Sequence, residues 1–309
     1  MTNQIKNRLI DFFFNLEDWQ IFTKKLLSII VFIVLLLILW VFPISLFVAP
    51  FYSITQDEPH KVKIYKETEG KTTVLSIADG IDKILDTGLT TNFFGVKTWI
   101  DNKYYQQVGE IEIYRLSVWS LENSLGRNRG TGGANKSLVQ ARSDIYADYN
   151  LPIFTSFNKR LKQTVKNLHK YINKLEQDAS LPMDKKQAVF IVNSDNLAEV
   201  IDRLKQQLQT NIMVKTRFFT TDDKFYTIKG NLIALHQFLE GIKFDFADKL
   251  KDKSSYEENF IPLLSQIKKT IQQNPIVIME SLGHLSKLSN EANVIAQKLG
   301  ELRDKLKKG

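Results

Sequence analysis

Between Leu26 and Ala49 the chain runs twenty-four residues without a charged side chain, and Lys24 and Lys25 stand directly before that run. As a helix rising about 1.5 Å per residue it would cover about 36 Å, enough for a hydrocarbon core of about 30 Å. A cleavable secretory signal has an apolar stretch of only about 7–15 residues and ends in a small-x-small step. Phe47 and Pro50 spoil the one candidate step, after Ala49. The run is therefore expected to be a permanent N-terminal transmembrane helix over residues 26–49. Residues 1–25 then form a cytoplasmic or interfacial segment, 50–75 a linker, and 76–309 a helical soluble domain.

The charge step fixes an expected orientation. Lys24 and Lys25 crowd the N-terminal flank, whereas the C-terminal flank has no Lys or Arg before Lys61. The positive-inside rule then keeps the N-terminus in the cytoplasm and sends the bulk of the chain across the membrane, into the periplasm of a bacterium with an inner membrane. In the N-terminal tail Ile5, Leu9, Phe12, Phe13, Leu16, Trp19 and Phe22 recur at three- and four-residue steps. That spacing predicts an amphipathic helix suited to the headgroup zone. Pro43 should kink the span or mark its end.

Past the anchor the periodicity is helical. Ser76 to Leu85 reads as a small helix with Ser76 as its cap. Longer apolar stripes follow at four-three spacing. They run Ile111-Tyr114-Val118-Leu121-Leu125, then over Ser137 to Tyr146, then Leu161-Val165-Leu168-Ile172-Leu175 and Leu197-Ile201-Leu204-Leu208. Three more carry Ile228-Leu232-Leu235-Leu239-Ile242-Phe246, Phe260-Leu264-Ile267-Ile271, and Leu285-Leu288-Ala292-Ile295-Leu299-Leu302-Leu306. Such seams are what helical bundles bury, so the fold class is all-α. Two stretches, Ala188 to Val192 and Val214 to Phe219, read equally as strands or buried connectors. The last stripe could also pair between chains and make a homo-oligomer.

With 42 Lys and Arg against 34 Asp and Glu, the chain has a mild basic excess, which suits phospholipid headgroups or other anionic surfaces. The absence of Cys excludes disulfides, thiolate nucleophiles and Cys-based metal sites. The four histidines, His60, His169, His236 and His284, share no ligand spacing, so no metal and no cofactor are expected. No Gly-x-Ser-x-Gly elbow and no dinucleotide fingerprint occurs. The aromatics Trp119, Phe238 and Phe246 fall on apolar faces and read as core rather than as a stacking platform, so no nucleic-acid partner is expected.

Two motifs carry possible chemistry. Gly126 to Gly133 holds four glycines with Arg127 and Arg129 just past a helix end. Gly126, Gly130 and the two arginines could form an anion-binding nest, or Gly126 could simply stop the helix. Asp222 and Asp223, with Asp245 and Asp248 one helix later, could do acid–base work or hold a cation, or could cap helices and form ion pairs. A third reading pairs the arginines with these acids inside the bundle.

Together Leu125-Gly126-Arg127-Asn128-Arg129-Gly130, Thr221-Asp222-Asp223-Lys224-Phe225-Tyr226, Phe244-Asp245-Phe246-Ala247-Asp248 and Asp195-Asn196-Leu197 resemble the signature of a family of proteobacterial membrane proteins grouped as a domain of unknown function. The likeness spans roughly residues 95 to 307. Thr131-Gly132-Gly133 departs from it, standing where the family has a Ser-rich step. The resemblance implies a single N-terminal span and a helical soluble domain, and it supplies no activity or catalytic residue. Three functions are then in competition. The first is a non-enzymatic scaffold or adaptor in the envelope, meeting membrane lipids and another membrane or periplasmic protein. The second is a binding module for an anionic lipid or glycan. The third is a carboxylate-dependent hydrolase.

Overall fold

The computed structural model describes residues 23–36, 62–87, 102–127, 133–147, 156–214, 221–273, 278 and 283–308. The chain divides into two units, Met1–Tyr52 and Ser53–Gly309. Of the first unit, the helix α1 over residues 23–36 is described. It contains the opening part of the uncharged run, while residues 37–49 and the amphipathic tail before Thr23 lie outside the described residues. Among the described residues no helix is long and apolar enough to cross a membrane.

The second unit is a bundle of helices, with no strand among its described residues. Its elements are α2 (Lys71–Thr87), α3 (Asn102–Ser120), α4 (Lys136–Ile145), α5 (Ser156–Asp178), α6 (Ser194–Met213), α7 (Thr221–Asp245), α8 (Ala247–Asp252), α9 (Ile261–Ile271) and α10 (His284–Lys307). Every seam leucine, isoleucine and valine named from the sequence on α3, α5, α6, α7, α9 and α10 is buried. Each such side chain stabilises the fold by about 1.5–3 kcal/mol relative to exposure.

Helix α7 is the axis of the unit. It lies against α2, α3, α6, α9 and α10, and it is buried on nearly every side, including Lys229, Asn231, His236 and Gln237. Its closest partner is α3, and the two meet through reciprocal glycines. A Cβ at Gly109 would coincide with the carbonyl oxygen of Thr227, and one at Gly230 with that of Gln106. Gly241 makes the same kind of approach to α2, where a Cβ would stand 2.7 Å from Ser76 Oγ and 2.8 Å from Thr73 Cα. Backbones this close leave no room for any side chain, so helix propensity yields to packing here.

Polar groups carried inward are matched. Tyr114 donates its hydroxyl to Gln237 Oε1 at 3.0 Å, and Gln237 Nε2 donates to the Ser76 carbonyl at 2.7 Å, joining α3, α7 and α2. Asn211 Nδ2 donates to Glu112 at 2.5 Å and to Asn231 Oδ1 at 2.8 Å, joining α6, α3 and α7. Arg115 donates to the carbonyls of Ile145 and Ala147 at 2.8 and 2.6 Å and so closes the C-terminal end of α4.

The structure revises or narrows several expectations. Helix α2 begins at Lys71, inside the stretch assigned to the linker, and Ser76 lies within it, donating to the Thr73 carbonyl at 2.7 Å instead of capping. Residues 188–192 form a connector, with Ala188 and Phe190 buried and Ile191 N–H donating to the Leu125 carbonyl at 2.7 Å. Of the second ambiguous stretch only Val214 is described, as an exposed bend. Trp119 is half-buried under the Arg203 guanidinium at 3.8 Å, while Phe238 and Phe246 are core as expected. The α10 stripe is covered by α6, α7 and α9 of the same chain.

Candidate functional site

The described residues enclose a cleft of about 280 Å³ between the start of α2, the end of α5 and the connector that precedes α6. Its position follows from two aspartates. Asp178 is the last residue of α5, and its buried carboxylate accepts the N–H groups of Gln187 and Ala188 at 2.7 and 2.9 Å. Tyr171 adds a hydrogen bond from its hydroxyl to the Val189 carbonyl. The connector is thereby folded back onto α5. Asp245 is the last residue of α7, and it accepts the N–H groups of Thr73 at 2.7 Å and of Gly70. It thus supplies, from 172 residues away in sequence, the N-terminal cap that α2 lacks locally.

Between the two caps the chain turns sharply. Gly70 has φ +84, and its α-carbon is packed against the Phe190 ring with no space for a Cβ. Either constraint alone would select glycine. Tyr65 N–H donates to Thr72 Oγ1 at 3.1 Å, and that hydroxyl donates back to the Tyr65 carbonyl at 3.2 Å. Lys71 pairs with Glu176 at 2.5 Å and lies 4.6 Å from the Tyr65 ring centre, which ties the turn to α5. Buried Leu175 and Phe190 give the cleft an apolar floor, and it is also lined by Glu67, Glu69, Lys186 and the exposed Met183.

The charges of the cleft are set by these surroundings. Burial raises the Glu69 carboxyl above its ordinary value, against the pull of Lys186 and Lys249. Burial also raises Asp245, and the nearby Glu69 adds to this, while the N–H groups it accepts oppose it. For Asp178 burial works in the same direction but loses to the N–H groups of Ala188 and Gln187 and to Lys174, so its carboxyl is held low. Among the described residues no histidine, cysteine or serine lines the cleft. Its chemistry is that of charge recognition above an apolar floor.

The residues singled out in the sequence do not gather here. Gly126 ends α3 through a π-turn over Leu121–Leu125, its N–H donating to the Leu121 carbonyl at 2.6 Å. Its φ is −99, so glycine is required by space and not by handedness: a Cβ would stand 2.5 Å from Leu138 Cδ1. Arg127 is exposed and makes no ion pair among the described residues, while Arg129 and Gly130 lie outside them. Asp222 and Asp223 open α7 and Asp245 closes it, which puts them about 35 Å apart along a helix of that length. Asp248 falls in the first turn of α8. A cleft built from Asp222, Asp223 and Asp245 together is therefore ruled out by geometry, and Asp245 serves instead as the cap of α2 beside the cleft. Among the described residues no group of three or more His, Asp or Glu is placed to hold a metal ion.

Asp178, Gly70 and Phe190 were not marked from the sequence. Gly70 left a signal as a glycine directly before an apolar helix, and Phe190 as part of the apolar run from Ala188 to Val192; Asp178 left none.

A family model described as an uncharacterized protein conserved in bacteria (DUF2333) matches residues 15–211 and 202–299. No curated protein and no solved structure matches the chain.

Proposed function

The chain belongs to this bacterial DUF2333 family, and from that premise we propose that it is a single-pass inner-membrane protein whose helical body works as a non-enzymatic scaffold or adaptor in the periplasm. The observation that carries the reading is α1. From Leu26 to Leu36 the helix has no polar side, and all its large apolar side chains are roughly half exposed. A helix that is apolar all round is at home only inside a protein or in lipid. The uncharged run continues to Ala49, which supplies the length of a span. Lys24 and Lys25 favour a cytoplasmic N-terminus.

The adaptor role draws on the cleft. Its rim charges and apolar floor suit one charged side chain of a partner protein, with the methylenes lying over Leu175 and Phe190. A reporter active only in the periplasm, fused after Gly309, is expected to give strong activity. Strong activity from a cytoplasm-only reporter at the same point would overturn the orientation. Release of the protein from membranes by alkaline carbonate would overturn the anchor.

The alternative of an anionic-ligand module gains nothing from Arg127, which stands alone among the described residues. It gains from a different feature, the outer face of α5.

A further inference from the structure

Helix α5 buries Phe157, Leu161, Val165, Leu168, Ile172 and Leu175 on one side. The opposite side carries Lys159, Arg160, Lys162, Lys166, Lys170 and Lys174 before the first acid of the helix, Glu176. Two of these cations are used internally: Arg160 pairs with buried Asp144 at 2.9 Å, and Lys174 with Asp178 at 3.3 Å. The remaining four, Lys159, Lys162, Lys166 and Lys170, are exposed and make no ion pair among the described residues. Their three-four-four spacing puts them on one stripe about 16 Å long. At the His169 edge of the stripe, Asp79 and Asp82 of α2 come near that ring. By contrast α10 alternates its lysines with Glu291, Glu301 and Asp304. Four lysines without an ion pair among the described residues thus share one helix face, against a net charge of +8 for the whole chain.

We propose that this face of α5 docks on the surface of a bilayer containing anionic phospholipids. Charge complementarity selects an anionic partner, and the run from Leu26 to Ala49 selects the lipid. A body tethered through about 20 residues of linker can move no more than about 70 Å from its anchor, so headgroups are its most concentrated anionic neighbours. Lysines suit that surface as hydrated point charges on flexible stems. Nucleic acid fits poorly, because no Phe, Tyr or Trp ring is exposed among the four lysines. The docking deepens the envelope reading above and rests on its anchor.

The chain has no cysteine, so Gln163→Cys places one fluorophore within the stripe of the full-length protein. The labelled protein is reconstituted in vesicles of phosphatidylcholine alone, or of phosphatidylcholine with phosphatidylglycerol, each holding a quencher on a trace of headgroups. Quenching is expected only with phosphatidylglycerol, and it should vanish at high salt. Lys166→Gln with Lys170→Gln should lower the docked-to-free ratio about 25-fold, at about fivefold per lysine, while Lys287→Gln with Lys298→Gln on α10 should leave it unchanged. Equal quenching in both vesicles, or no response to the α5 pair, overturns the proposal. So does a label that responds to added heparin but to neither vesicle, which would assign the face to a glycan. Carbonate extraction of the same vesicles tests the anchor separately, since protein that washes off but is still quenched by phosphatidylglycerol keeps the docking and loses the span.

Discussion

Helices α5 and α7 each end in an aspartate that accepts two backbone N–H groups from another segment, yet the two carboxyls are displaced in opposite directions. A carboxylate at a helix C-terminus is disfavoured by the helix dipole, so both must be offset by what they accept. Asp178 has an ammonium, Lys174, one turn back on the solvent edge. Asp245 sits at the end of a helix buried on nearly all sides, with Glu69 as its charged neighbour. The difference belongs to the helices more than to the aspartates. Helix α5 is half solvated and can bring a lysine to its acid, whereas α7 is enclosed and brings none.

The sharpest break in that comparison is Gly230→Val. No rotamer change can relieve a side chain placed on the Gln106 carbonyl, so α3 and α7 must separate. A loss above about 3 kcal/mol is expected in denaturant unfolding, at or beyond the usual range for overpacking. A loss under 1 kcal/mol, by the same scale, would mean that α7 is not enclosed as described.

Next in size is Asp178→Ala, which strands the N–H groups of Gln187 and Ala188 and should cost about 2 kcal/mol at neutral pH. Because the folded carboxyl lies below its ordinary value of 3.8, its contribution is present above that pH and is lost as pH falls through the folded value. The parent and the variant should therefore converge in stability in strong acid. Parallel curves would remove the account of Asp178.

Tyr114→Phe should cost about 1 kcal/mol by thermal unfolding, since it deletes one buried hydrogen bond to Gln237 and keeps the ring. The smallest effect is expected for Asp245→Asn, within about 0.5 kcal/mol at neutral pH, because an amide oxygen can still accept from Thr73. Its sign is the informative part. The folded Asp245 carboxyl is raised above 3.8, so its favourable contribution is present below that pH and is lost as pH rises through the folded value. Asn should therefore gain on Asp as pH climbs out of the acid range, the reverse of the trend at Asp178.

The helices were legible wherever one face is wet. The stripes of α5 and α10 were read residue for residue, because alternation of apolar and charged positions is what the period detects. The α7 stripe was read correctly too, but its buried Lys229, Asn231 and Gln237 look like a solvent face in sequence. Gly109 and Gly230 carried no signal in the sequence, since only a second backbone reveals why no side chain is allowed. The same holds for Asp245. Its cap for α2 lies across 172 residues, and the local signal at Ser76 pointed to the wrong start. The arginine loop promised a site by composition, whereas the basic face of α5, with neither a glycine nor a recognised motif, was not singled out.

The place of α7 in the chain has a consequence for biosynthesis. The helices it joins, α2 and α3, are synthesised well before it. A nascent chain that has reached Asp178 has made those helices and α5, but it lacks α7, against which α3 and much of α2 rest. Their apolar faces must wait for about 70 further residues, several seconds at ordinary elongation rates. A ribosome stalled between α5 and α7 would therefore hold out an incomplete core, and chaperones that bind exposed apolar chain should load most heavily in that interval.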